Sequence, residues 1–201
     1  MPALTSVVLG HIAFLPADKR NFPAAASYIS AARDALSREP LATASSWLSA
    51  VEAEMNTKAG ATGPALRCLE RARAELPDAP ASPLPVWFDF FDERRLHGFE
   101  GFTLRKAGDL TSARAHLNAS LTPGPQVIPK QRSVSMIDLA VTCVEDGDLD
   151  EGCRLATEAA TDLHRAGYAT AVDRLTEFQG TLPDARHPAA SLLKESIAEL
   201  S

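Results

Sequence analysis

The stretch "DGDLDEGCRLATEAATDLH", residues 146–164, carries the spacing that decides the fold. Gly147 is followed five residues later by a small residue, four further on by an apolar or small one, and three further on by another small one. The same spacing recurs in "AGATGPALRCLERARAELP", residues 59–77, and in "AGDLTSARAHLNASLTPGP", residues 107–125. Glycine tolerates the positive φ of a tight turn, and small residues on one helical face let two helices approach closely. The spacing therefore predicts a repeated helix–turn–helix pair.

The repeat extends on both sides of these turns. A small residue stands seven positions before each glycine, at Ala53, Gly101 and Ala140. A fourth, degenerate copy is predicted at Ala24, Tyr28 and Ala31. Apolar residues recur at helical spacing and strand patterns are nearly absent. We therefore expect an all-α fold, a tetratricopeptide-like α-solenoid of three to four helix pairs with a C-terminal capping helix.

The expected organisation is a single helical-repeat domain over residues 1–201. The predicted pairs cover residues 4–37, 41–76, 85–122 and 130–165, and the closing helices cover residues 168–200. Proline-rich linkers at 76–85 and 122–130 explain a repeat period longer than the usual ~34 residues. The apolar first helix would be exposed on this plan, so we expect it to meet a second copy of the chain or a preceding domain.

Composition argues against several classes of function. The net charge is −6 and no basic cluster occurs, so direct binding of nucleic acid is not expected. No apolar run approaches the ~20 residues of a membrane span, and no basic region precedes the N-terminal apolar run, so a cytoplasmic protein is expected. The cysteines Cys68, Cys143 and Cys153 match no disulfide or zinc framework and are predicted to be small buried residues.

A second stretch, "PVWFDFFDERRLHGFEG", residues 85–101, holds five of the twelve aromatic residues. On one continuous helix, Phe88, Phe91, Phe99 and Phe102 would line one side together with Arg95. Burial on more than one side of this helix is expected. Most of the aromatic rings are therefore predicted to pack in the core, and the charged residues are better candidates for binding.

The chain resembles the tetratricopeptide region that follows an N-terminal helix-turn-helix domain in many actinobacterial transcriptional regulators. Three segments carry the resemblance: "PLPVWFDFFDERRLHGFEGFTLRKAGDLTSARAHLNASL", "QRSVSMIDLAVTCVEDGDLDEGCRLATEAATDL" and "YATAVDRLTEFQGTLPD". It covers most of the chain from Trp47 to Leu200. These are packing motifs, which are specific for fold and weak for function. The family's DNA-binding domain is missing from this sequence, so the resemblance implies a ligand-sensing or interaction region.

In tetratricopeptide folds the first helix of each pair lines a concave groove, which implies a set of candidate binding residues. The set is Trp47, Glu54, Trp87, Phe91, Arg95, Phe102 and Arg105. Arginine pairs with carboxylates through parallel hydrogen bonds, and aromatic rings supply apolar area. The groove is therefore expected to take a peptide, a protein or a small anionic ligand.

Glu93, His97 and Glu100 share one helical face and form the one pattern that suggests a metal or acid–base chemistry. A metal site between helices needs ligands from a second helix, and no other segment offers a comparable set. No cofactor and no catalytic residues are expected. The predicted function is a non-enzymatic ligand-sensing or protein/peptide-interaction module, the regulatory part of a transcription-regulator-like protein. The alternative is a free-standing small-molecule-binding protein or an atypical enzyme that uses the helical groove.

Overall fold

The computed structural model describes residues 1–77, 84–123, 129–166, 169–184 and 186–200. Within these ranges all regular secondary structure is helical, which confirms the all-α prediction. The helices are α1 (Pro2–Ile12), α2 (Phe14–Asp18), α3 (Phe22–Leu36), α4 (Ala42–Lys58), α5 (Thr62–Glu75), α6 (Glu93–Lys106), α7 (Leu110–Ser120), α8 (Pro129–Glu145), α9 (Leu149–Ala166), α10 (Ala169–Thr181) and α11 (Pro188–Ala198). None of the described helices combines the length and the hydropathy that crossing a membrane requires.

Helix contacts divide the chain into two compact units, Met1–Ala107 and Gly108–Ser201. In the first unit, α1 packs along α3 and α4 packs along α5, while α4 also contacts α1, α3 and α6. In the second unit, α8 packs along α9, α7 and α10 contact α8, and α11 contacts α9. The continuous solenoid, the pair boundaries and the single domain stay predictions.

A residue with positive φ stands at each predicted repeat turn. Gly60, Gly108 and Gly147 have φ values of 77°, 89° and 92°, as the sequence analysis expected. After α4 and α8, the glycine amide donates to the carbonyl three residues back, and the next amide donates to the carbonyl five residues back. This is the Schellman motif, which satisfies carbonyl groups that a helix end otherwise leaves unpaired.

Arg20 forms a fourth copy of this turn without being a glycine. Its φ is 58°, which places an arginine in the left-handed region. The amides of Arg20 and Asn21 donate to carbonyls three and five residues back, as in the glycine turns. The Asn21 side chain then caps α3 by accepting a hydrogen bond from the Ala24 amide. Asparagine is well suited to this position because its side-chain oxygen satisfies an amide of the first helical turn.

The degenerate copy predicted at Ala24, Tyr28 and Ala31 is wrong by one residue. Tyr28 is 37% exposed, and the buried face of α3 is shifted one position toward the C-terminus. The residues buried in place of Ala24, Tyr28 and Ala31 are Ala25, Ile29 and Ala32. No glycine marks this turn, so the sequence offered no reference residue from which to count the positions of the repeat. With Arg20 as the turn residue, the first small residue falls five positions later, as in the other copies.

The aromatic stretch 85–101 is not one helix, contrary to the sequence prediction. Helix α6 begins at Glu93, because the Asp92 side chain accepts a hydrogen bond from the Arg95 amide and caps the helix there. Residues 84–92 contain turns and no helix. The predicted aromatic stripe is therefore divided between an irregular segment and the helix that follows it.

The C-terminal helix and the cysteines agree with the sequence predictions. Helix α11 buries Leu193 and Ile197 and exposes its charged side. All three cysteines are buried and unbridged, and burial raises the pKa of each thiol. The predicted linkers at 76–85 and 122–130 fall largely outside the described residues. Val8 and Leu15 on the first helices are exposed, and the partner expected there stays a prediction.

Replacing Arg20 with glycine should stabilise the fold. A residue other than glycine in the left-handed region costs ~1–2 kcal/mol. Glycine's greater freedom in the unfolded chain offsets part of that gain. We expect a net increase of roughly 0.5–1 kcal/mol in the free energy of unfolding, measured by urea denaturation. The control is Lys19→Gly at φ −85°, where glycine should be neutral or destabilising. Equal effects of the two changes would contradict the strain argument.

A Gly152→Ala change should destabilise the second unit. An added Cβ would clash with Val144 Cγ2 and lie 2.8 Å from the Ala140 carbonyl oxygen, so α8 and α9 would have to separate. Such overpacking costs ~1–3 kcal/mol, more than alanine gains in helix propensity. The matched control is Gly180→Ala in α10, whose Cβ would meet open space and should be neutral or stabilising. Thermal unfolding of both variants measures the effect. If Gly152→Ala is as stable as the parent, the contact between α8 and α9 at this residue is looser than described.

Candidate functional site

The residues predicted as a binding set lie mostly in the interior. Buried members are Trp47, Glu54, Phe91, Phe102 and Arg105, and partly exposed members are Trp87 and Arg95. Phe88 and Phe99 are buried as well, which confirms that most of these aromatic rings are core residues. The binding role of the set stays a prediction, and direct access for a ligand is limited to its partly exposed members.

Trp47 and the irregular segment 84–92 form an aromatic cluster. The Trp47 ring stands edge-on to Phe88 and Phe90, with centroids 6.3 and 5.5 Å apart, and Trp87 stands edge-on to Phe88 at 6.1 Å. His11 of α1 lies against Trp47 with ring centroids 4.7 Å apart. Edge-to-face pairs contribute ~0.5–1.5 kcal/mol each beyond the area they bury. The cluster therefore connects the segment to α1 and α4, which is a packing role.

The charged members of the set contact rings and other charges. The Arg95 guanidinium lies 4.6 Å from the centroid of Phe99, and Phe91 packs on the same ring at 6.3 Å. Arg105 lies 5.8 Å from the Phe102 ring. Glu54 pairs with Lys58 at 3.0 Å. The structure therefore brings Phe91 and Arg95 together on Phe99, and it places Glu54 in a separate ion pair on α4.

The carboxylate–histidine face of α6 is bound by an arginine of α5. Arg73 donates to Glu100 through Nη2 and Nε at 2.7 and 3.2 Å, and to Glu93 through Nη1 at 2.7 Å. His97 Nδ1 lies 2.9 Å from Glu100 Oε2. A buried carboxylate such as Glu100 requires a compensating charge, and the guanidinium supplies it. This arrangement fits an ion-pair network that ties α5 to α6.

A cleft of about 360 Å³ lies between α3 and α4, and it is the candidate binding site. Its lining consists of Phe22, Ala26, Ile29, Ser30 and Arg33 from α3, Glu52, Met55 and Asn56 from α4, and Ala59 directly after α4. The α3 members recur at helical spacing and therefore share one face. Ile29 and Met55 are buried, whereas the polar lining residues keep part of their surface exposed. The cleft thus has an apolar part and a polar part, and we call it the α3–α4 groove.

The polar part of the groove centres on one ion pair. Arg33 Nη2 donates to Glu52 Oε2 at 2.7 Å, and each side chain keeps about a third of its surface exposed (32% and 33%). The Asn56 amide nitrogen donates to the Glu52 backbone carbonyl at 2.9 Å. An arginine that is fixed by a partner and still reaches solvent can orient a polar ligand group.

A second arginine reaches the same carboxylate from α5. Arg71 Nη2 donates to Glu52 Oε2 at 2.6 Å, so two guanidinium groups share one carboxylate oxygen. Ser49 Oγ accepts from Arg33 Nη2 at 3.2 Å and from Arg71 Nε at 3.0 Å, and it donates to Glu75 Oε2 at 2.6 Å. The network connects α3, α4 and α5 at the polar end of the groove.

The groove residues were absent from the set predicted from the sequence. Arg33 and Glu52 are 19 positions apart, and nothing local marks them as partners. Because the first repeat was predicted one residue out of register, the sequence analysis placed Tyr28 rather than Ile29 at the contact with the neighbouring helix. Recognition of Arg20 as the turn residue would have placed the apolar face of α3 correctly. The pairing of that face with α4 would still have required the tertiary structure.

Truncation of Phe91 should destabilise the first unit, because this ring is buried and packs on Phe99. Phe91→Ala is expected to lower the free energy of unfolding by ~3–5 kcal/mol. Arg95→Ala should cost no more than ~1 kcal/mol, the value of a partly exposed cation–π contact. Val86→Ala is the control, since Val86 is 92% exposed. Denaturant titration measures the free energy of unfolding of the three variants. If Phe91→Ala lowers it no more than Arg95→Ala does, the packing described here is wrong.

Comparison with known proteins adds no relative to this description. No family model, no curated protein and no solved structure matches the chain.

Proposed function

We propose that the chain is a non-enzymatic binding module that holds a small amphipathic molecule in the α3–α4 groove. One observation carries the proposal: a single cleft joins a buried apolar surface, Ile29 and Met55, to an ion pair at Arg33 and Glu52 that is still partly exposed. A ligand with an apolar body and a polar end would match both parts.

The size and composition of the groove support a small molecule. Ligand pockets usually measure ~300–1,000 Å³ and are mainly apolar, with a few polar groups that set the ligand's orientation. The groove, at about 360 Å³, lies at the lower end of that range. Its apolar lining comes from two helices that pack on each other, so the walls are regular elements rather than loops. A site built on helices keeps its shape before the ligand arrives, which lowers the ordering cost of binding.

The chemistry of the lining residues supports binding rather than catalysis. Arg33 and Glu52 are engaged with each other, and none of the nine lining residues pairs a nucleophile with a base. Cys68 lies next to this site, 3.8 Å from Asn56 Nδ2, but burial and the nearby Glu52 charge raise the pKa of its thiol. A thiol in that state is a poor nucleophile at neutral pH.

The wider role that we propose follows the resemblance to regulator tetratricopeptide regions. The turns with positive φ and the close helix pairs support this kind of helical module, and the groove supplies a place for a signal molecule. Occupancy of the groove would then be communicated to a protein partner or to a DNA-binding domain of the regulator. Peptide or protein ligands remain alternative occupants that the same experiment distinguishes.

The proposal predicts saturable stabilisation by amphipathic small molecules. A ligand that binds only the folded state raises the melting temperature by mass action. We expect at least one member of a series from hexanoate and hexanol to decanoate and decanol to do so. Ala26→Phe should abolish the shift, because Ala26 lines the groove and a phenyl ring would fill it. Differential scanning fluorimetry, followed by calorimetry, measures both effects.

The matched control is Ala31→Phe on the same helix. Ala31 is also exposed, but it does not line the groove, so its variant should bind as the parent does. If no member of the series binds saturably, or if the two variants behave alike, the proposed site is wrong. Saturable binding of peptides alone would assign the module to peptide recognition instead.

A further inference from the structure

We infer that the α3–α4 groove selects a carboxylate head group, which pairs with Arg33. The inference rests on the proposed function and adds the charge class of the ligand. Of the charged groups at the polar end, α3 contributes Arg33, α4 contributes Glu52, and α5 contributes Arg71 and Glu75. The arrangement of these four groups decides which head group is favoured.

The two arginines form their ion pairs with the same carboxylate, that of Glu52. Arg33 and Arg71 both reach Oε2 of Glu52, at 2.7 and 2.6 Å, and no other carboxylate in the described residues forms an ion pair with either of them. The Glu75 carboxylate instead accepts from the Ser49 hydroxyl at 2.6 Å. Two cations held at one oxygen repel each other, and the Glu75 carboxylate, which is bound to Ser49 and forms no ion pair with either arginine, offsets that repulsion only from farther away. An additional anion at this point would relieve that repulsion, whereas an ammonium group would increase it.

Arg33 is the arginine placed to receive that anion. It lines the groove, while Arg71 does not. Among the described residues, Arg33 donates only through Nη2, to Ser49 and Glu52, so its Nε–H and Nη1–H groups remain available as donors. Charge-assisted hydrogen bonds of guanidinium to carboxylate are about twice as strong as neutral ones. With its carboxylate bound to Arg33, the ligand would pack its apolar body against Ile29 and Met55.

The test compares three head groups on one apolar chain: octanoate, octanol and octylamine. Calorimetry on the whole chain should show octanoate binding about tenfold tighter than octanol, since one charge-assisted hydrogen bond is worth at least ~1.4 kcal/mol. Octylamine should bind no better than octanol. Added sodium chloride should weaken octanoate binding and leave octanol binding nearly unchanged, because salt screens a partly exposed ion pair.

Three substitutions are expected to change the octanoate-to-octanol affinity ratio in different directions. That ratio is therefore the quantity to measure for each variant. Arg33→Gln should reduce the ratio to about one, and its thermal unfolding, compared with that of the parent, shows that the variant is folded. Arg71→Gln should lower the ratio, because Glu52 then compensates Arg33 alone. Glu52→Gln should raise the ratio several-fold, since it removes the charge that both arginines share. Unfolding of the variant would not raise the affinity ratio in this way.

The outcomes separate the two claims. If octanol or octylamine binds the parent as tightly as octanoate, and Ala26→Phe still abolishes binding, the groove is a binding site but the head-group inference is wrong. If Glu52→Gln leaves the ratio unchanged or lowers it, the shared-charge argument is wrong. If neither these three compounds nor any other member of the hexanoate-to-decanol series binds, the proposed function itself fails.

Discussion

The fold depends on a backbone constraint at the turns between successive helices. The turns before α3, α5, α7 and α9 each contain one residue with positive φ, a conformation that lets one helix end and the next begin within a few residues. Gly60, Gly108 and Gly147 meet the requirement without steric cost. The small residues that follow, such as Ala65 and Gly152, let the second helix approach the first. The turn and the close approach therefore work together, since a tight turn is useful only if the helices that it joins can touch.

Arg20 shows that the constraint acts on conformation rather than on residue type. The backbone adopts the left-handed conformation there with an arginine, and the hydrogen bonds are those of the glycine turns. The strain is maintained because α1 and α4 pack on α3 and hold the turn in place. The groove also depends on this turn, because the turn determines which face of α3 lies toward α4. A shift of one residue would replace Ile29 with Tyr28 at the contact.

Charge is arranged differently at the two arginine networks of the first unit. At Arg73, one guanidinium serves two carboxylates, Glu93 and Glu100. At the groove, two guanidiniums pair with the single carboxylate of Glu52, while the Glu75 carboxylate is held by Ser49 rather than by an arginine. The first arrangement ties α5 to α6, a structural role. The second lies at the end of an apolar cleft, where Arg33 donates only through Nη2 and has further N–H groups with which to bind an anion.

Local sequence determined the helical class, the three glycine turns, the buried cysteines and the core location of the aromatic rings, because each depends on neighbours a few positions away. It did not determine where α6 begins, since Asp92 ends an aromatic pattern that periodicity alone would continue. The first repeat was misplaced because its turn residue is an arginine. Only the tertiary structure paired Arg33 with Glu52 and brought Arg71 to the same oxygen, as these residues lie on three different helices. A binding groove is formed by the packing of helices that are distant in sequence, and hydrophobic periodicity specifies which face of a helix is buried but not which helix covers it.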